Sequence, residues 1–293
     1  MSGILPGWLG AGRGRVTQGL IWGLVPLSIG GAHFLTAELT ALPRMVVICL
    51  WLLAAMKSLV YVIWVRESGR SLPLGRYVIF ALAWFGMDPG SFLCRRKGLS
   101  WWEDVRVGLI CLLTGALGAF LVWKLEWRQV HVMFIPMSLG FHFGALRVLN
   151  GWWRRMGFPV RTLFPNPLKV KGFGDFWSRR WNVGYSQMMQ RVVGRPLSRV
   201  GGRRLGMFAV FLVSGLLHEA AITLPARAGY GGPTMFFLIQ GLLVLAEERW
   251  QWRGAWRAWA TALSVLATLP CLFPPDFQRE ALWRCLEIFG GFN

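Results

Sequence analysis

Acidic residues are scarce in this chain. Thirteen Asp and Glu stand against 32 Lys and Arg in 293 residues, and charged residues of both signs make up only 15%. A soluble domain carries roughly 25%. That deficit argues against two soluble domains, which length alone would suggest. Cysteine is sparse too. Cys49, Cys94, Cys111, Cys271 and Cys285 form no Cys-x-x-Cys pair, which excludes a disulfide framework and a cysteine zinc site. A zinc protease helix needs His-Glu-x-x-His. The run from His218 reads His-Glu-Ala-Ala-Ile, with Ile222 in the second ligand position, so no metal is expected. No internal repeat or low-complexity tail is present. The first apolar stretch lacks a small-residue cleavage site and reads as a membrane segment rather than a signal peptide.

Apolar residues fill that space, at 55% of the sequence. They fall in runs long enough to cross a bilayer, which takes about 20 residues as a helix. The runs are 20–37, 44–65, 105–123, 130–149, 205–225, 233–248 and 256–273. They predict an all-α, polytopic membrane helix bundle of about seven spans, forming a single domain over 1–293. A shorter run, 77–88, ends at Asp88-Pro89-Gly90. Its length and its Pro-Gly end predict a segment that dips in and returns, within 77–93. The run 277–292 is short and mixed and reads as interfacial.

The net charge of +19 calls for polyanionic partners, from anionic lipid to a phosphate-bearing substrate. Nucleic acid is not expected, because the basic residues lie between apolar runs and no nucleic-acid-binding signature accompanies them. Lys and Arg in loops mark the cytoplasmic side. Arg13 and Arg15, then Arg66, Arg70 and Arg76, place the N-terminus and the second loop there. With 77–88 dipping, Arg95–Lys97, the segment 150–204 and the Arg249–Arg257 cluster follow. The host membrane, bacterial inner membrane or endoplasmic reticulum, is left open, as is oligomeric state. Segment 150–204 holds twelve Lys and Arg against one acid, Asp175, and four Trp. This composition predicts short amphipathic helices on the cytoplasmic face.

Ionisable side chains inside a span are costly and mark sites. Lys57, His142, His218 and Glu219 are such residues. His218 lies roughly 20 Å along its helix from Leu205, at 1.5 Å per residue. Ser214 and Gly215, four and three residues back, share its face. A helix–helix hydrogen bond is the competing role for His218. For His142 and His131, packing or interfacial hydrogen bonding is the simpler role, and Lys57 is expected to snorkel or pair. The second constellation is Asp175-Phe176-Trp177-Ser178-Arg179-Arg180-Trp181-Asn182. Helical spacing would put Trp177 and Trp181 on one side and free Arg179 and Arg180 for phosphate.

Asp175–Asn182 followed by the intramembrane Leu216–Glu219 resembles the membrane-bound O-acyltransferase superfamily. Within it the chain is most similar to the wax synthase branch, which Asn166-Pro167 and Gly86–Pro89 also fit. The resemblance covers about 130–225. The chain departs from that pattern at Gly172–Gly174 and at Ser178. The resemblance implies acyl transfer from acyl-CoA, as co-substrate, to the hydroxyl of a lipophilic alcohol. It implies His218 as general base and Asn182 as a residue that orients the donor or stabilises the oxyanion. Asp175, Trp177, Arg179, Arg180 and Trp181 would bind acyl-CoA, with Glu219 and Ser214 in secondary roles. No other cofactor is implied. Acetyl transfer to a sugar or natural-product hydroxyl, and a non-enzymatic transporter or scaffold, are the alternatives. A transporter would show corresponding interrupted halves, and none are visible.

Overall fold

The computed structural model describes the backbone of residues 15–290 and the side chains of 23–287. Arg13 and the side chain of Arg15 lie outside the described residues. The described chain is helical, with no strand. The helices are α1 (Arg15–Leu35), α2 (Ala41–Ser68), α3 (Leu74–Ala83), α4 (Trp102–Lys124), α5 (Val130–Arg155), α6 (Val183–Ala226), α7 (Gly232–Arg249), α8 (Trp256–Leu272) and α9 (Pro275–Glu287).

Four of these, α2, α4, α5 and α6, are long and apolar enough to cross a membrane. The pair α8 and α9, bent by 81°, makes a fifth if it is one span. The expected count of about seven is not confirmed. Two of the predicted runs make the difference. The run 20–37 lies only partly within the described side chains, which take in its apolar stretch Gly23–Leu35. For 233–248, α7 carries Glu247, Glu248 and Arg249 in its last turn.

Glycine lets α4 and α5 pack closely. A Cβ on Gly115 would sit 2.4 Å from the Gly140 backbone nitrogen, and one on Gly144 would sit 2.8 Å from that of Leu112. Small residues permit such approach where lipid supplies no hydrophobic drive between helices. The polar end of the pair is fixed by Asp104. It accepts from Arg147 at 3.2 Å, Asn150 at 2.8 Å and Arg154 at 2.8 Å, three residues on one face of α5. The other face of α4 leaves Leu109, Ile110, Leu113, Leu117 and Leu121 exposed, as lipid-facing residues are.

The 77–93 segment doubles back. The ten residues of α3 reach about 15 Å, half the hydrocarbon thickness. The chain then turns at Trp84–Asp88 and returns, so that Arg76 near the start of α3 donates to the carbonyl of Leu93. Asp88 fixes the return by accepting from Gly90 N–H and the Ser91 hydroxyl. Tyr61, Tyr77, Phe80, Phe92, Trp153 and Phe158 form one aromatic core around this hairpin.

The predicted surface helices of 150–204 form only in part. Residues 156–172 are irregular apart from one turn at Pro167–Lys169. Pro159, Pro165 and Pro167 remove N–H donors and restrict the residues before them. Phe158, Val160, Leu163 and Phe164 bury into the core instead of lying on a surface. The first part of α6 is amphipathic, with Met188, Met189, Val192 and Val193 inward and Arg195 and Arg199 outward. It breaks at Gly201 and Gly202, where Gly202 adopts φ 79°, before the apolar part begins.

Candidate active site

A cavity of about 1000 Å³ runs between α2, the α3 hairpin, α6 and α7. His218, Ser214, Asn182, Trp177, Trp181, Asp175 and Arg179 all line it. Residues far apart in sequence therefore share one space. Its mouth is charged: Arg203 meets Glu248 at 2.6 Å, and Arg257 meets Glu247 at 3.4 Å. Its inner wall is apolar, with Leu52, Leu53, Met56, Phe85, Met87 and Phe237. Arg203 to His218 along α6 spans about 22 Å at 1.5 Å per residue.

His218 is fixed by its own helix. Its Nδ1 lies 2.7 Å from the Ser214 carbonyl oxygen. A carbonyl only accepts, so Nδ1 carries the proton and Nε2 is left with its lone pair. The ring also packs on Phe237, with centroids 4.3 Å apart. Ser214 holds His218 through its backbone. Its hydroxyl is donated to the Val210 carbonyl at 2.7 Å.

Glu219 faces away from this cavity. Directly after His218 the helix widens into a π turn, Glu219–Thr223. Such turns often accompany functional sites. Here the turn aims Glu219 at the start of α7, where Oε1 accepts from the Thr234 N–H at 3.0 Å and its hydroxyl at 2.9 Å. A carboxylate there meets the positive end of the helix. Gly215 allows the approach, since a Cβ on it would sit 2.7 Å from the Thr234 Cα.

Asn182 starts α6. It adopts the left-handed region at φ 40°, which asparagine tolerates. Its Oδ1 accepts from the Tyr185 N–H at 3.2 Å, a helix N-cap. With the oxygen committed, the side-chain nitrogen is the end that can donate to a ligand.

The DFWSRRW stretch is not the regular helix expected. A single turn, Phe173–Asp175, runs into a π turn, Phe176–Arg180, and Trp181 is already extended at φ −107°. Trp177 and Trp181 therefore part. Trp177 packs among Phe211, Phe236 and Phe237, with Nε1 donating to Gln240 at 3.4 Å. Trp181 packs among Phe134, His142, Phe164 and Phe176. The two arginines part as well. Arg180 pairs with Asp175 at 3.1 Å and lies outside the cavity lining, whereas Arg179 lines it.

His142 donates to or accepts from Ser138 at 3.0 Å, and His131 meets the Leu266 carbonyl at 2.9 Å. Neither lines the cavity. No cluster of three His, Cys, Asp or Glu side chains that could hold a metal occurs among the described residues.

Sequence similarity bears on the same region. A sequence model of the membrane bound O-acyl transferase family matches residues 160–239, the stretch from the DFWSRRW turn through Asn182 and His218 into α7. Probable long-chain-alcohol O-fatty-acyltransferase 7 of Arabidopsis thaliana is 29% identical over 175 residues, covering 53% of this chain and 51% of that one. Acyl-CoA–sterol O-acyltransferase 1 of the same plant is 30% identical over 167 residues, covering 51% and 47%. The long-chain-alcohol O-fatty-acyltransferase of Simmondsia chinensis is 32% identical over 101 residues, covering 31% and 29%. The matches point to the membrane-bound O-acyltransferase superfamily and, within it, to wax synthase-like relatives. The chain spans about half the length, or less, of the curated relatives it matches.

Two cavity residues, Tyr185 and Glu247, were not expected from the sequence. Tyr185 lines the cavity, with its ring 6.1 Å from His218. Its position three residues after Asn182 was the available signal, because i and i+3 share a helix face. Glu247 accepts from the Gly174 N–H at 2.8 Å and so ties the DFWSRRW turn to α7. Nothing local to Glu247 announces that contact.

Proposed function

We propose that this chain transfers an acyl group from acyl-CoA to the hydroxyl of a lipophilic alcohol, with His218 as general base. The observation that carries the reading is the His218–Ser214 hydrogen bond of 2.7 Å. It leaves Nε2 unprotonated at the wall of a large cavity that Asn182 also lines. The activities named for the relatives, long-chain-alcohol and sterol O-acyl transfer, support this substrate class.

In this mechanism Nε2 takes the proton of the acceptor hydroxyl as its oxygen attacks the thioester carbonyl carbon. The tetrahedral intermediate collapses with cleavage of the carbon–sulfur bond. The imidazolium proton passes to the departing thiolate, so alcohol and thioester become ester and thiol. The Asn182 amide N–H donates to the carbonyl oxygen as its negative charge grows. Arg179 and the other basic residues of the mouth meet the phosphates of the donor. The apolar inner wall takes the acyl chain and the acceptor. No cofactor beyond acyl-CoA enters this scheme, the segment 150–204 faces the cytoplasm, and membrane lipid is the surrounding partner.

The test is ester formation by detergent-purified protein from labelled palmitoyl-CoA, with a panel of long-chain alcohols and sterols. Ester from the parent, reduced about 10²–10⁴-fold in folded His218→Ala, is the expected result. Unchanged ester formation in His218→Ala would remove His218 as the base.

A further inference from the structure

Lys57 lies in the middle of α2 with no exposed surface. Its Nζ donates to two backbone carbonyls, Phe80 at 2.8 Å and Gly86 at 2.6 Å, and sits 3.9 Å from the Phe80 ring centre. One carbonyl belongs to α3 and the other to the turn that follows it. Phe80 is in the last turn of α3, where carbonyls have no partner within the helix. Gly86 is in the turn Trp84–Asp88. Filling this space needs no lysine. A buried polar group is costly, and a methionine has similar length. What the Lys57 amine adds is a fixed distance between the end of α3 and the turn that follows it.

That distance matters because of what flanks Gly86. Phe85 and Met87 both line the cavity. Gly86 also abuts the first turn of α6: a Cβ on Gly184 would sit 3.2 Å from the Gly86 Cα and 3.3 Å from the Met87 nitrogen. That turn is the one Asn182 caps. One side chain on α2 thus fixes a wall of the cavity and the support beneath Asn182.

We propose that Lys57 is a specificity-determining positioning residue, which pins the α3 hairpin so that Phe85 and Met87 set the width of the cavity for the acyl chain. The proposal rests on the cavity being the acyl-donor site. With the amine gone, residues 84–88 move apart from α2, the wall retreats, and longer chains gain over shorter ones.

Two measurements on the full chain in detergent test it, neither of which needs turnover. The first is hydrogen exchange in Lys57→Met, where amides of 84–90 should exchange about tenfold faster while those of α4 do not change. The second is affinity for unreactive thioether analogues of hexadecanoyl-CoA and octanoyl-CoA. The ratio of the two dissociation constants should shift about tenfold toward the longer chain in Lys57→Met. Unchanged exchange at 84–90 overturns the proposal, and so does faster exchange with an unchanged ratio. If Lys57→Met does not fold, Met87→Ala and Lys57→Gln, which keeps N–H donors, read the same ratio. A shift in Met87→Ala with Lys57→Gln near the parent supports the proposal, and no shift in Met87→Ala overturns it. Failure of both analogues to bind the parent overturns the cavity reading and the Lys57 role together. Ester formation by a parent whose chain-length ratio Lys57 does not affect overturns the Lys57 role alone.

Discussion

Glu219 and Thr234 join α6 to α7 through two hydrogen bonds to a single carboxylate oxygen, at 3.0 and 2.9 Å. The other oxygen accepts from Thr223 at 2.5 Å. Phe237, one turn further along α7, packs on His218. Glu219 therefore acts on the site through the placement of α7. Glu219→Ala leaves the Thr234 donors unmet and should lower stability by about 1–3 kcal/mol. Glu219→Gln keeps an acceptor and should lose less. Thermal unfolding in detergent distinguishes them, and equal melting temperatures for parent and Glu219→Ala would contradict this role.

Asn182 has two separable duties. Asn182→Asp keeps the oxygen that caps α6 and removes the amide donor. It should fold like the parent and lose about 10²–10³ in kcat, the usual effect of removing one oxyanion donor. Asn182→Gly suits the left-handed backbone but loses the cap, at a cost of only a few tenths of a kcal/mol. Ester formation by Asn182→Asp at the parent's rate would show that the donor end has no part in the reaction.

Arg179 and Arg180 are adjacent in sequence but differ in partner. Arg180→Gln breaks the pair with Asp175 at 3.1 Å and should lower stability by about 1–2 kcal/mol. Arg179→Gln should leave the melting temperature alone and raise KM for acyl-CoA, with weaker dependence on salt. The reverse pattern, a stability loss at Arg179 and a KM effect confined to Arg180, would exchange their roles.

The Tyr185 hydroxyl is buried beside Ser214, whose own hydroxyl is donated to Val210, and no hydrogen bond of full geometry joins the two. Tyr185→Phe should therefore leave stability unchanged or raise it by about 1 kcal/mol, because a buried unsatisfied group is costly. Ser214→Ala should likewise be mild, since Ser214 holds His218 through its carbonyl and spends its hydroxyl on Val210. A large drop in melting temperature in either variant would reveal a hydrogen bond between these two neighbouring side chains.

The sequence by itself determined the solvent and marked the candidate site. Long apolar runs with few charges require helices in lipid, since each backbone polar group must be satisfied within its own segment. An ionisable His218 inside such a run was conspicuous for the same reason, and so was the shortness of 77–88. Local pattern also carried the motif of Asp175–Asn182. Only the tertiary structure decided what these residues touch. It parted Trp177 from Trp181 and Arg179 from Arg180, because a π turn and an extended residue replaced the regular helix that spacing alone assumes. It gave Lys57 two carbonyl partners and turned Glu219 toward Thr234. Such partners lie on other helices, and periodicity within a segment records which face is apolar, not which neighbour that face will meet.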